Sequence, residues 1–351
     1  MKDSIDFGTT KVSSLFSKLL MPTLLGMVSS ALFVITDGIF VGRGLGSDAL
    51  AAVNIVAPLF LINTGIGLMF GVGASVVASI HLSHGKPKTA RINVTQAVIA
   101  LSMLVAAFSA LIVWRAPGVA CLLGSSERLL VPAVEYIYGA VPFFVFSAML
   151  SAGMFYIRLD ASPRYAMMCN VVPALLNIVL DYLFIFVFHW GVIGAAVATS
   201  LGYIAGAGMV LWYMLMMGRT IKLCRVKTHL RSLRMTRRNV GYMCRLGFPS
   251  LLCEAAVATM MFAGNYVFIA YLGEDGVAAY SIACYVFPII FMVYNAIAQS
   301  AQPILSYNYG ARLTRRVSSA LRMALFTALG SGVMFLLIMY FFAPDIVSLF
   351  I

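Results

Sequence analysis

Apolar positions along this chain fall in long unbroken blocks instead of alternating with polar ones. Nine blocks of about 20 residues or more carry few or no charges, and that is the length a helix needs to cross ~30 Å of hydrocarbon. They predict transmembrane helices at roughly 17–42, 50–80, 93–114, 132–154, 164–188, 191–216, 246–271, 278–306 and 318–342. Barrel strands would show short alternating segments instead. Several blocks are longer than the bilayer requires, so tilted or kinked helices are expected. Pro22, Pro249 and Pro288 lie inside blocks, where a missing N–H and a ring clash bend a helix. The expected fold class is an all-α polytopic membrane protein.

Composition agrees. The chain is 62% hydrophobic and only 10% charged, with a mean hydropathy of +0.97, far from the balance of soluble domains. The net charge of +12 would invite a nucleic-acid reading, but its placement excludes one. With a cytoplasmic N-terminus and strict alternation, 21 of the 24 Lys and Arg fall on the inside, and only Arg43, Arg115 and Arg128 fall outside. Such asymmetry sets orientation and faces anionic lipid. No removable signal peptide is expected, since no short apolar region precedes a small-residue cleavage site. The six cysteines sit in no CxxC or Cys/His pattern and read as packing residues. Trp190 and Trp212 read as interfacial anchors, and the Gly65–Gly73 and Gly202–Gly206 runs as close-packing helix faces.

The longest polar stretch, 218–245, divides the chain into a six-helix half, 1–217, and a second half, 246–351. The halves align at an offset of 227 residues. Pro22 lands on Pro249, Leu45–Ile55 on Leu272–Ile282, and Ala116-Pro117 on Ala343-Pro344. Six spans separate equivalent positions, so the copies share an orientation, as in transporters whose halves rock about a central cavity. On this alignment Ile351 corresponds to Gly124. A whole second copy would add about 90 residues and three more helices, so the second lobe is expected to be incomplete here.

Four acids lie in or near apolar blocks: Asp37, Glu135, Asp181 and Glu254. An ionised carboxylate at mid-bilayer costs at least ~2.5–3.5 kcal/mol, so such groups normally face a cavity. Glu135 sits near a span end, where a capping role serves equally well. Asp37 lies six residues before Arg43, ~9 Å deep from the outer end of its span. Asp181 and Thr199 lie ~12 Å deep on the fifth and sixth spans, and Asn177 is one turn below Asp181 on the same face. Two carboxylates, an amide and a hydroxyl at one depth are all oxygen donors. The set suits Na+ or H+ and offers a transition metal nothing.

The motifs around these residues resemble the multidrug and toxic compound extrusion (MATE) family. They are Thr36-Asp37-Gly38 with Leu45-Gly46; Asn177-Ile-Val-Leu-Asp181 followed by Gly191-Val-Ile-Gly194-Ala-Ala-Val-Ala198-Thr199; and Gln302-Pro303 to Ser306-Tyr-Asn308-Tyr-Gly310. The resemblance covers essentially the whole chain. It implies two six-helix lobes around a central cavity and export of compounds in exchange for Na+ or H+. It places the cation site on Asp37, Asn177, Asp181 and Thr199, adds Tyr136 as a further polar residue, and matches the acid found in the second lobe of some members to Glu254. The counterpart of Asp37 in the second half is Gly264, so the lobes are not equivalent.

The expected function is a secondary active antiporter in the plasma membrane that exports amphipathic, cationic compounds. The expected partners are the lipid bilayer and small molecules, not nucleic acid. No cofactor is expected, and a single chain is the expected working unit. A flippase for lipid-linked precursors is the neighbouring alternative. It calls for a strongly cationic cavity, and no Lys or Arg is expected deep in the first six spans. A membrane-embedded prenyl-transfer enzyme would need clustered acids for Mg2+-diphosphate, and no DDxxD run is present.

Overall fold

In hydrocarbon every backbone N–H and C=O must pair within its own segment, and the apolar blocks accordingly become helices. The computed structural model describes residues 5–225 and 230–348, with side chains placed outside 230–233, 343–348 and most of 261–289. Gly264 and Cys284 lie outside the described side chains. No strand occurs among the described residues. The helices are α1 (Val12–Leu45), α2 (Ser47–Ser83), α3 (Pro87–Trp114), α4 (Ala116–Leu122), α5 (Glu127–Ala140), α6 (Phe144–Leu159), α7 (Pro163–Asp181), α8 (Gly191–Trp212), α9 (Leu230–Gly310) and α10 (Thr314–Ser348).

Among the described residues, seven segments are long and apolar enough to cross a membrane, and they match seven of the nine expected spans. One of them, Glu127–Leu159, joins α5 to α6 through a 3-10 turn at Val141–Phe143. Pro142 causes the break, because it has no N–H to continue the α-helical ladder. Between α1 and α2 the chain turns on Gly46, whose φ of 91° is open to glycine.

The other two expected spans, 246–271 and 278–306, both lie within α9, which runs 81 residues. The contacts show that α9 is two arms. Its first arm packs antiparallel on α2, with Leu251 and Glu254 against Gly65 and Met243 against Gly73. Its second arm runs parallel to α2: Ser75 Oγ hydrogen-bonds Gln302 Oε1 at 3.3 Å, and Gly310 lies against Ile80 and Ser83. A straight helix would hold Met243 and Gln302 ~88 Å apart, yet both meet the same turn of α2. The chain therefore doubles back between Glu254 and Phe291.

Polar side chains tie the ends of the bundle. On one side, Arg128 Nη2 meets Asp48 Oδ2 at 2.6 Å. On the other, Arg316 donates to the carbonyls of Phe7 and Thr10, and Arg91 to those of Arg219 and Thr220. The polar stretch expected over 218–245 is irregular as far as 225 and helical again from Leu230.

Asp160, at the end of α6, anchors the start of that stretch. It is 4% exposed. Its Oδ1 accepts the N–H groups of Thr220 (2.7 Å) and Ile221 (2.9 Å), and its Oδ2 those of Arg219 (2.7 Å) and the Tyr213 hydroxyl (2.8 Å). Hydrogen bonds to a charged group are the strong ones. Asp160→Ala is expected to cost ~3 kcal/mol or more by stranding these donors. Asp160→Asn, which keeps one acceptor oxygen, should fall between it and wild type. Thermal unfolding of the detergent-purified chain, followed by circular dichroism, measures both; an unchanged midpoint in Asp160→Ala would refute the anchor.

Candidate functional site

Four helices deliver the site. α1 carries Asp37 about two turns before its C-terminal end at Leu45, and α5 carries Tyr136. α7 carries Asn177 and ends on Asp181, where the backbone passes into a π-helical turn over Tyr182–Val187. Such turns widen a helix locally and often accompany function. The chain then returns through Gly191, φ 65°, into α8, which carries Thr199. The small residues Gly194, Ala195 and Ala196 let α8 lie close beside its neighbours.

The structure brings Asp37, Asn177, Asp181, Thr199 and Tyr136 together. Asp181 is fully buried, and Asn177, Tyr136 and Thr199 are buried. Asp181 lies beside both Asp37 and Asn177. Asn177 Nδ2 donates to Thr199 Oγ1 at 3.5 Å. The Tyr136 hydroxyl sits by Thr199 and faces both carboxylates. Four oxygens, Asp37 Oδ1, Asn177 Oδ1 and both of Asp181, are buried with no hydrogen-bond donor. Buried acceptors without partners are costly, and two adjacent carboxylates in a low dielectric cannot both stay charged without a proton or a cation between them. Oxygen lone pairs left open in this way fit a hard monovalent cation or a shared proton.

Tyr203 also faces Asp37 and was missed in the sequence. The available signal was its place one helical turn after Thr199, on the same face of α8.

Asn177, Thr199 and Tyr203 also line a central cavity of about 370 Å3, walled by α1, α2, α6, α7, α8 and both arms of α9. Glu254 lines this cavity from the first arm, buried, and is not among the partners of either carboxylate. Glu135 lines no part of it. One expectation is corrected here. Arg158, assigned to a cytoplasmic segment, belongs to the last turn of α6, is buried, and lines the cavity. It is held there by Gln299 from the second arm of α9 and by the Phe155 ring, which cover its guanidinium.

The sequence pattern of the MatE family matches residues 22–183 and 249–351. The chain belongs to the MatE family. The match takes in Asp37, Tyr136, Asn177, Asp181 and Glu254 and stops short of Thr199. Among curated MatE relatives, the chain is 24% identical to the FAD transporter of Shewanella oneidensis, over all of this chain and 77% of that protein. It is 23% identical over 301 residues to the multidrug export protein MepA of Staphylococcus aureus, covering 84% of this chain and 64% of MepA. It thus spans just under two thirds of MepA's length. Among solved structures, an outward-facing multidrug resistance MATE family transporter superposes with a TM-score of 0.88 at 23% identity, over 97% of this chain and 74% of that one. A MOP superfamily transporter from Pyrococcus furiosus, described as having a binding pocket of reverse polarity, gives 0.84 at 24% identity over the same shares. These likenesses establish the MatE fold, a multi-pass helical membrane protein.

Proposed function

We propose that this MatE protein is a secondary active antiporter that exports amphipathic compounds with a cationic centre in exchange for Na+ or H+. One observation carries the reading: a pair of adjacent carboxylates, three of whose four oxygens are buried without a donor, lies behind Asn177 and Thr199 on the wall of a cavity large enough for a small organic molecule. Asp37 and Asp181 hold the coupling ion as cargo, with Asn177 and Thr199 supplying neutral oxygens. Glu254 attracts the positive end of the exported compound. Loading and release of the ion shift the cavity between inward and outward openings, because each opening binds ion and compound differently. The chain sits in the plasma membrane with its N-terminus inside, which the one-sided Lys and Arg distribution favours.

The moving bodies are 1–217 and 246–351, related by the 227-residue offset. Two contacts support that relation. Ser75 bonds Gln302, and Gly310 lies against Ser83; in each pair a residue meets its own counterpart, as happens on the axis of a twofold.

The test is dye transport by the natural protein in proteoliposomes. Uptake of a fluorescent organic cation is expected to rise several-fold under an outward gradient of either Na+ or H+, and to show which. Uptake indifferent to both gradients would sink the antiport reading.

A further inference from the structure

One charged group in the cavity has no task in the exchange just described. Arg158 is 2% exposed and ranks first among the fully buried side chains by volume. Its Nη1 donates to Gln299 Oε1 at 2.8 Å, and its guanidinium lies 5.5 Å from the centre of the Phe155 ring. Both partners are neutral. Among the described residues no carboxylate forms an ion pair with it. Asp160, two residues on, has both oxygens committed to backbone and tyrosine donors. Glu254 shares the cavity without pairing with it.

A guanidinium stays protonated at every physiological pH and carries five donors in a planar fork. Burying one without a counter-charge is expensive. Snorkelling, the ordinary outlet for an arginine near a membrane surface, carries the head group out to the interface, and this one is held inward against Gln299 and the Phe155 ring, on the cavity wall. A strut between α6 and the second arm of α9 would need only a neutral donor for Gln299. What remains is a guanidinium on the wall of a cavity that also carries the carboxyl of Glu254, with no ion pair between the two.

We propose that Arg158 is a specificity residue that binds an anionic group of the exported compound, so that the cavity takes amphoteric organic molecules. Their carboxylate meets Arg158 in a forked pair of hydrogen bonds, and their basic centre meets Glu254. The proposal rests on the export reading for the cavity's role and narrows its substrate class. It also separates the site from the flippase alternative: one guanidinium opposite one carboxyl is a dipolar cavity, not a strongly cationic one.

Two dyes that differ at a single group decide it. Rhodamine 110 carries a free carboxylate beside its cationic ring system, and rhodamine 123 is its methyl ester. Fluorescence anisotropy with the detergent-purified full chain is expected to show the acid binding about 10-fold tighter than the ester, as for a charge-assisted hydrogen-bonded pair. Arg158→Gln should erase that preference, weakening the acid about 10-fold more than the ester, and Arg158→Lys should restore part of it. Glu254→Gln should weaken both dyes alike. If Arg158→Gln fails to fold, the wild-type comparison still decides. Ester binding with no preference for the acid overturns this proposal alone and leaves the export reading intact; equal weakening of both dyes by Arg158→Gln does the same. Binding of neither dye overturns both.

Discussion

Asp37→Asn and Asp181→Asn are each expected to reduce export to background while leaving the protein in the membrane at wild-type levels. The two carboxylates touch, and three of their four oxygens are buried without a donor. A coupling ion or proton relieves that arrangement by neutralising charge. An asparagine in either place removes the need, since an amide is neutral and brings its own N–H donors. The surviving carboxylate, freed of its like-charged neighbour and given a donor, would no longer draw the ion differently in the two states of the cavity, and a site that binds both states equally shifts nothing. Insertion should not suffer, because removing a charge from a membrane helix lowers its cost. Dye efflux from cells expressing the natural protein, with membrane-fraction immunoblots beside it, measures both. Wild-type efflux from the Asp37→Asn, Asp181→Asn double variant would remove these residues from the mechanism.

The second large effect is on assembly. A Cβ added to Gly73 would run into the carbonyl of Met243, and one on Gly247 into the carbonyl of Met69. Each obstacle is backbone, which cannot swing aside as a side chain would. α2 and the first arm of α9 therefore touch main chain to main chain at two points one turn apart, the close approach that small residues allow in membranes. Gly73→Val and Gly247→Val should each cost ~3 kcal/mol or more, at the upper end of overpacking effects. Gly208→Val, on the open face of α8 with nothing within 4 Å, is the control and should stay near wild type. Thermal unfolding and size-exclusion profiles of the purified variants compare them. Gly73→Val melting with wild type would mean that the two helices do not meet as described.

Much of this architecture was legible beforehand because its signals are local. An apolar block long enough for the bilayer needs no knowledge of its neighbours to become a helix, and seven segments lie where the blocks put them. The convergence of Asp37, Asn177, Asp181 and Thr199 was legible for a related reason. Depth along a membrane helix can be counted in residues, and groups at one depth on adjacent spans have few places to go. Tyr136 came from family resemblance alone, since an aromatic in an apolar helix carries no signal of its own. Arg158 was misplaced because a basic residue near a span end was counted as a cytoplasmic charge, and the glutamine that covers it comes from an arm of α9 some 140 residues away. Asp160 was passed over for the opposite reason. Its neighbours are backbone N–H groups some sixty residues away, and main-chain donors have no letter in a sequence.

Asn177 and Thr199 stand in two walls at once, beside the carboxylate pair and along the cavity. Under the proposed reading that shared wall makes the two cargoes rivals for the same few atoms. A compound that draws on the Asn177 amide or the Thr199 hydroxyl takes an oxygen from the ion, and an ion that holds them leaves the compound a poorer bed. By thermodynamic reciprocity the penalty is the same in both directions. Such heterotropic antagonism needs no message carried across the protein; it is competition at a party wall, and it sets the exchange of one cargo for the other within a few ångströms of Asp181.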